Sequence, residues 1–74
     1  MTFAQKLTEL RQGKNLTREE LAKQIGFDPS VIGYWERGQR EPAGKALKAL
    51  ALFFDVSSDY LLGIEDEFGA RIIK

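Results

Sequence analysis

The amino-acid sequence predicts an all-α fold of five helices followed by a short carboxy-terminal tail. Apolar residues recur at intervals of three and four, which places them on one side of a helix. Capping residues precede several of these stretches, and glycines follow most of them. We expect helices at about residues 2–13, 18–25, 29–37, 44–54 and 58–62 within one domain, residues 1–63, and a tail at residues 64–74.

The composition argues against catalysis. The 74-residue chain has neither cysteine nor histidine. It therefore cannot form a disulfide, a thiolate nucleophile or a sulfur-ligated metal site, and it lacks the commonest general base. The remaining carboxylate, serine, lysine and tyrosine residues form no recognisable catalytic arrangement. We expect no enzymatic activity, no metal and no cofactor.

The charges are balanced in number but not in position. Residues 1–48 contain nine Lys or Arg and six Asp or Glu, whereas residues 49–74 contain two and five. The longest apolar run, residues 49–54, is far shorter than the roughly 20 residues of a membrane span, and the amino terminus lacks the apolar segment of a signal peptide. We expect a cytoplasmic protein that does not associate with membranes.

The first helix is predicted from Phe3, Leu7 and Leu10, which recur at i, i+4 and i+7. Thr2 is suited to cap its amino terminus. Arg11 lies on or beside the apolar side of this helix. A charge there is costly unless another side chain pairs with it.

The second helix begins at about Arg18. Thr17 and Glu20 have the spacing of a capping box, in which each side chain bonds the other residue's backbone amide. Gly26 ends the helix because glycine adopts the left-handed conformation without a Cβ penalty. Ala22 is small enough for the next helix to cross closely.

The third helix begins with Asp28 as cap and Pro29 at the first helical position, where its missing N–H costs nothing. One face carries Val31, Ile32 and Trp35, and the other carries Pro29, Ser30, Gly33, Tyr34 and Arg37. We expect the first face to pack and the second to be available for a contact.

The remaining elements are a fourth helix over residues 45–54, rich in strong helix formers, and a last short helix capped by Ser57 or Ser58. The apolar spacing of the tail, residues 64–74, fits a helix and a strand equally well. Exposed apolar residues there would suit contact with a second copy of the chain, but the tail could also fold back on its own subunit or be disordered.

The runs LTREELAKQIG and SVIGYWERGQREP, followed by SSDYLLG, carry a family resemblance. From about Phe3 to Gly63 the chain resembles the Cro and phage-repressor group of helix-turn-helix regulators, often called Xre-like. The resemblance implies a five-helix repressor-like domain. It also implies a transcriptional regulator, in the first place a repressor, that binds a roughly palindromic double-stranded DNA operator as a homodimer.

The resemblance assigns roles to individual residues of this chain. It implies that the helix at residues 29–37 enters the major groove. The expected base-reading residues are Ser30 and Tyr34, with Pro29 at the helix start and Gly33 allowing close approach. The expected phosphate-binding residues are Thr17, Arg18, Arg37, Gln39, Arg40 and Lys45. A buried ion pair between Arg11 and Glu36 is also implied.

A second hypothesis from another class is a protein-interaction module. An antitoxin-like or regulatory protein could retain the helix pair as a scaffold and bind a small protein partner. The neutral total charge and the acidic carboxy-terminal half motivate this alternative.

Overall fold

The computed structural model describes residues 2–62, which form five α-helices. The helices are α1 (Phe3–Gly13), α2 (Arg18–Ile25), α3 (Pro29–Glu36), α4 (Gly44–Phe54) and α5 (Ser58–Leu62). The predicted all-α class is confirmed, and each predicted helix is present within a residue or so of its expected bounds. The predictions for the tail at residues 64–74 lie outside the described residues.

Side-chain caps fix where the first three helices begin. Thr2 forms a capping box with Gln5, and Thr17 forms one with Glu20. The Asp28 carboxylate accepts the Ser30 amide at the start of α3. At the far end of α3, Arg37 is the C-cap, so the helix ends one residue earlier than predicted. These local hydrogen bonds explain why sequence spacing predicts the boundaries so closely.

A single core joins the five helices. Its buried apolar side chains are Leu7, Leu21, Ala22, Ile32, Trp35, Ala46, Leu50, Phe54 and Leu61. Burying a leucine- or isoleucine-sized side chain stabilises a fold by about 1.5–3 kcal/mol relative to exposure. Every helix contributes to this core, and α3 is held mainly by packing against α1 and α2 rather than by its own eight residues.

The turn between α2 and α3 is closed by backbone bonds. Gly26 has φ of +78°, and the amides of Gly26 and Phe27 both donate to the Ala22 carbonyl at 2.9 Å. The Phe27 ring then meets the Trp35 ring edge-on, with centroids 5.5 Å apart. The turn therefore fixes both the position and the rotation of α3.

A buried lysine attaches α5 to α1. The Nζ of Lys6 donates to the Tyr60 carbonyl at 2.7 Å and lies 4.4 Å from the centroid of the Tyr60 ring. A lysine is rarely buried unless its charge is satisfied, and here a carbonyl dipole in the last turn and an aromatic face both do so. Sequence spacing gave no sign of this contact.

Candidate nucleic-acid interface

The face of α3 that does not pack is open to solvent at its two ends. Pro29, Ser30 and Arg37 are exposed, and Tyr34 is half-buried. Ile32 and Trp35 on the opposite face are buried in the core. The division of α3 into a packed and an open face is therefore as predicted, except at Gly33.

The amino-terminal end of α3 presents hydrogen-bond acceptors. The Asp28 Oδ1 accepts both the Ser30 hydroxyl at 2.7 Å and the Ser30 amide at 2.9 Å. These two bonds lower the pKa of the Asp28 carboxyl from its ordinary value of 3.8, and the bond from the Ser30 hydroxyl has the larger effect. Because the Ser30 proton is directed at Asp28, the serine oxygen is left with lone pairs to offer a ligand.

The carboxy-terminal end of α3 carries a cluster of four side chains. The guanidiniums of Arg37 and Arg40 lie 5.4 and 4.6 Å from the Tyr34 ring centroid, within cation–π range. Arg37 Nε also donates to Gln39 Oε1 at 3.1 Å. Within residues 2–62 neither of these two arginines forms a salt bridge. We call Tyr34, Arg37, Gln39 and Arg40 the tyrosine cluster.

Gly33 differs from the sequence-based expectation. It is buried rather than open, because the Arg37 side chain lies over it. A Cβ built at position 33 would come within 3.0 Å of Arg37 Nη1. The glycine thus makes room for a side chain of its own helix in the free protein.

Glu36 joins α3 to the two preceding helices. Arg11 Nε donates to Glu36 Oε2 at 2.6 Å and Arg11 Nη2 to Oε1 at 3.1 Å, so the expected ion pair is present and bidentate. Arg11 also donates to the Leu16 carbonyl. The Arg11 and Glu36 side chains are only 12% and 2% exposed. Any other orientation of α1 and α3 would leave a buried charge without its partner, so the pair fixes how these helices pack.

Arg18 points to the same carboxylate, which the sequence did not predict. Its Nε donates to Glu36 Oε1 at 3.0 Å, while 49% of the Arg18 side chain remains exposed. The guanidinium expected on a phosphate is therefore engaged within the protein. The contact joins side chains 18 positions apart, and no local pattern could have indicated it.

The first turns of α2 and α4 also contain backbone amides that no side chain caps. At α2 the Glu20 amide bonds Thr17, but the Arg18 and Glu19 amides have no intrahelical partner. At α4 the N-cap Ala43 supplies no side-chain bond, and Lys45 is exposed in the first turn. Both ends carry the positive pole of a helix dipole. The two helix starts, together with the tyrosine cluster, can hold anions.

A family model with the description Helix-turn-helix matches residues 7–61. The chain belongs to this family, the Xre-like helix-turn-helix regulators. The resemblance seen in the sequence is thereby confirmed. Among curated members, the HTH-type transcriptional activator BcrR of Enterococcus faecalis is 44% identical over 66 residues, which are 89% of this chain and 32% of BcrR. The chain spans 52–58% of the length of four regulators of Bacillus subtilis that it also matches.

Solved structures of the helix-turn-helix family have the same fold. The P22 c2 repressor in complex with a synthetic operator superposes with a TM-score of 0.81 at 31% identity, covering 84% of this chain and 94% of that one. SinR in its complex with SinI superposes with a TM-score of 0.76 at 28% identity, covering 90% and 63%. The structures of the family therefore include one of a complex with DNA and one of a complex with another protein.

In this helix-turn-helix domain the structure brings together four of the ten residues predicted for the interface. Tyr34, Arg37, Gln39 and Arg40 form one cluster, and Ser30 lies on the same open face of α3. Two features were missed, namely the role of Asp28 beyond capping and the engagement of Arg18 by Glu36. The described residues contain no group of acidic residues arranged to hold a metal ion. No helix among residues 2–62 is long and apolar enough to cross a membrane.

Proposed function

We propose that this chain binds double-stranded DNA sequence-specifically as a homodimer and acts as a transcriptional regulator, in the first place a repressor, in the cytoplasm and without enzymatic activity. The observation that carries the proposal is the tyrosine cluster beside the open face of α3. Two guanidiniums there, unpaired with any acid among the described residues, lie within 6 Å of one ring centroid. Two arginines held together without a neighbouring acid create a positive potential that attracts a polyanion.

The backbone of the duplex would be held on both sides of α3. Arg37, Gln39 and Arg40 contact phosphates on one side, joined by Lys45 and the first-turn amides of α4. On the other side the Thr17 hydroxyl and the amides of Arg18 and Glu19 receive a phosphate at the start of α2. Such contacts position the domain but carry no sequence information directly.

Bases would be read from the open face of α3 in the major groove. The Ser30 oxygen and the neighbouring Asp28 carboxylate offer acceptors, which suit the exocyclic amino groups of cytosine and adenine. The Tyr34 hydroxyl and ring edge can meet a polar base edge or a thymine methyl. Pro29 lies exposed at the start of this face.

Selection of bound sites from random-sequence duplexes, followed by mobility-shift titration, tests the proposal. We expect one enriched, roughly palindromic site. Arg40→Ala should weaken binding to all duplexes alike, because a phosphate contact is lost. Lys23→Ala removes an exposed cation in the last turn of α2 that is not among the proposed contact residues, and should bind as wild type. Recovery of no enriched site, or equal effects of the two substitutions, would reject the proposal.

A second candidate function is a protein-interaction module with the helix pair as scaffold. Leu52 and Leu62 are 73% and 48% exposed and are available for contact with a partner. SinR, which has the same fold, was solved with SinI as partner. Co-purification of a small protein encoded beside the gene would support this function, whereas a mobility shift with the chain's own upstream region would support DNA binding.

A further inference from the structure

The most unusual residue on the open face of α3 is its glycine. Gly33 lies in the interior of an eight-residue helix, where glycine is less favourable than alanine. The described glycines with positive φ are Gly26 and Gly38. Gly33 has ordinary helical geometry, so backbone freedom does not explain its presence. The explanation must lie in the space where a side chain would be.

That space is occupied by Arg37, four residues later on the same side of α3. A methyl group at position 33 would meet Arg37 Nη1 at 3.0 Å, Nη2 at 3.4 Å and Cζ at 3.5 Å. Normal contacts lie at about 3.5–4.0 Å. The guanidinium therefore lies across position 33, and an added methyl group would push its Nη1 away by a few tenths of an ångström.

The same placement brings Arg37 to its other partners. From above Gly33 its guanidinium reaches the Tyr34 ring, and its Nε donates to Gln39. The same ring holds Arg40 at 4.6 Å. An arginine fixed at several points loses less side-chain entropy when it binds a phosphate, so a prearranged guanidinium binds more tightly than a mobile one.

We infer that Gly33 is a positioning residue, which together with the Tyr34 ring sets Arg37 in a phosphate-binding orientation. The inference rests on the proposed DNA-binding function and replaces the simpler role expected from the sequence, close approach of α3 to the DNA. The two roles predict different behaviour when Arg37 is absent. If Gly33 acts through Arg37, adding a methyl group to an Arg37-less protein should have no effect on DNA binding.

A double-mutant cycle tests this. Wild type, Gly33→Ala, Arg37→Ala and the double variant are titrated by fluorescence anisotropy with a labelled duplex recovered by selection on the wild type. We expect Arg37→Ala to bind about tenfold more weakly at fixed salt, and Gly33→Ala to lose a smaller part of that affinity because Arg37 is displaced rather than removed. The double variant should be no weaker than Arg37→Ala alone.

Thermal unfolding distinguishes a positioning role of Gly33 from damage to the fold by the substitution. The atoms that an added methyl group would meet are the far end of a flexible side chain. Gly33→Ala should therefore fold and melt a few degrees higher, by about 4 °C, because alanine favours the helix. Gly13→Ala, whose methyl group would contact nothing within 4 Å, is the matched control and should leave DNA affinity unchanged. Tyr34→Phe, which keeps the ring, should leave Arg37 in place.

Three results would overturn the inference. Gly33→Ala could bind like wild type, or it could weaken binding further in the Arg37→Ala background, which would mean that the methyl group meets the DNA itself. The third result comes from NMR spectra of the free protein. We expect the Arg37 Nε–H resonance of Gly33→Ala to move to the position of a solvated arginine, and an unchanged resonance would overturn the inference. Failure of wild type to select any duplex would instead reject the proposed function.

Discussion

Glu36 accepts hydrogen bonds from arginines of two different helices, and the two partners should differ greatly in energetic weight. Arg11→Ala leaves the buried Glu36 carboxylate without its bidentate counter-charge, which costs about 3–5 kcal/mol. Arg18→Ala removes a half-exposed partner and should cost no more than about 1 kcal/mol. Urea unfolding of both variants measures the difference. Equal destabilisation would show that Arg18 is as important to the fold as Arg11.

The hydrogen bond between Ser30 and Asp28 leads to a prediction about which bases this end of α3 prefers. Because the serine proton is directed at the carboxylate, the pair offers only acceptors to a base. Selection from random duplexes should therefore fix one base pair of each half-site whose cytosine or adenine turns its amino group toward this pair. Ser30→Ala should relax the preference at that position and leave the others intact. If Ser30→Ala selects the same site with the same preference at every position, the assignment is wrong.

At the residue scale the sequence predicts what is local or what the family resemblance implies. The Arg11–Glu36 pair was expected because Arg11 lies beside an apolar stripe and the family pairs it. The turn of Arg18 toward Glu36 depends on how closely α2 approaches the end of α3. The burial of Gly33 depends on the rotamer of Arg37. Neither distance nor rotamer is encoded in residue spacing.

The capping box at the start of α2 contains a carboxyl group, so its contribution to stability depends on pH. In α2 two hydrogen bonds with Thr17 lower the pKa of the Glu20 carboxyl from its ordinary value of 4.5. The bond from the Thr17 backbone amide has the larger effect and the bond with the Thr17 side chain the smaller. A group with a lowered folded-state pKa contributes stability above its unfolded pKa, and this contribution is lost as pH falls through the folded value. We therefore expect the protein to lose stability progressively as the pH falls below about 4.5.

Urea unfolding between pH 6 and pH 3 measures that loss. Glu20→Gln keeps an acceptor at the same place but does not titrate, so its stability should depend less on pH over this interval. Glu9, which is exposed on α1, gives the matched control as Glu9→Gln. If both variants show the same pH dependence as wild type, the capping box does not contribute to acid sensitivity.

Element boundaries were the most predictable part of the fold. The signals at Thr2, Thr17 and Asp28 act over two or three residues, and each forms the hydrogen bond its spacing indicates. The junction of α1 and α5 was not predictable in the same way. Lys6 meets Tyr60 across 54 positions, and a lysine at a helix surface normally indicates solvent exposure.

For the whole molecule, the number of phosphate contacts sets the salt dependence of DNA binding. If Arg18 stays on Glu36, each subunit contributes three cations, namely Arg37, Arg40 and Lys45. Two subunits then give a slope of log K against log salt of about −5, and a fourth cation per subunit would give about −7. Titration of wild type and Arg18→Ala distinguishes these cases, because we expect Arg18→Ala to leave the slope unchanged.

Symmetry gives a second prediction at this scale. A homodimer that places two copies of α3 on one side of the duplex requires half-sites about 34 Å apart, one helical turn. Inserting either five or ten base pairs between the half-sites should abolish high-affinity binding, because the dimer fixes the distance between the two copies of α3. Equal affinity for all spacings would argue for binding as independent monomers.

The attachment of Glu36 has a practical consequence for engineering specificity. Grafting residues 29–36 from a regulator that lacks this glutamate would remove the carboxylate that binds Arg11 and Arg18, and the new helix would lose the bonds that fix its angle. A conservative transplant exchanges only the outward positions 28, 30 and 34 and retains Glu36, Ile32 and Trp35. New operator preferences could then be installed on a frame that holds its alignment.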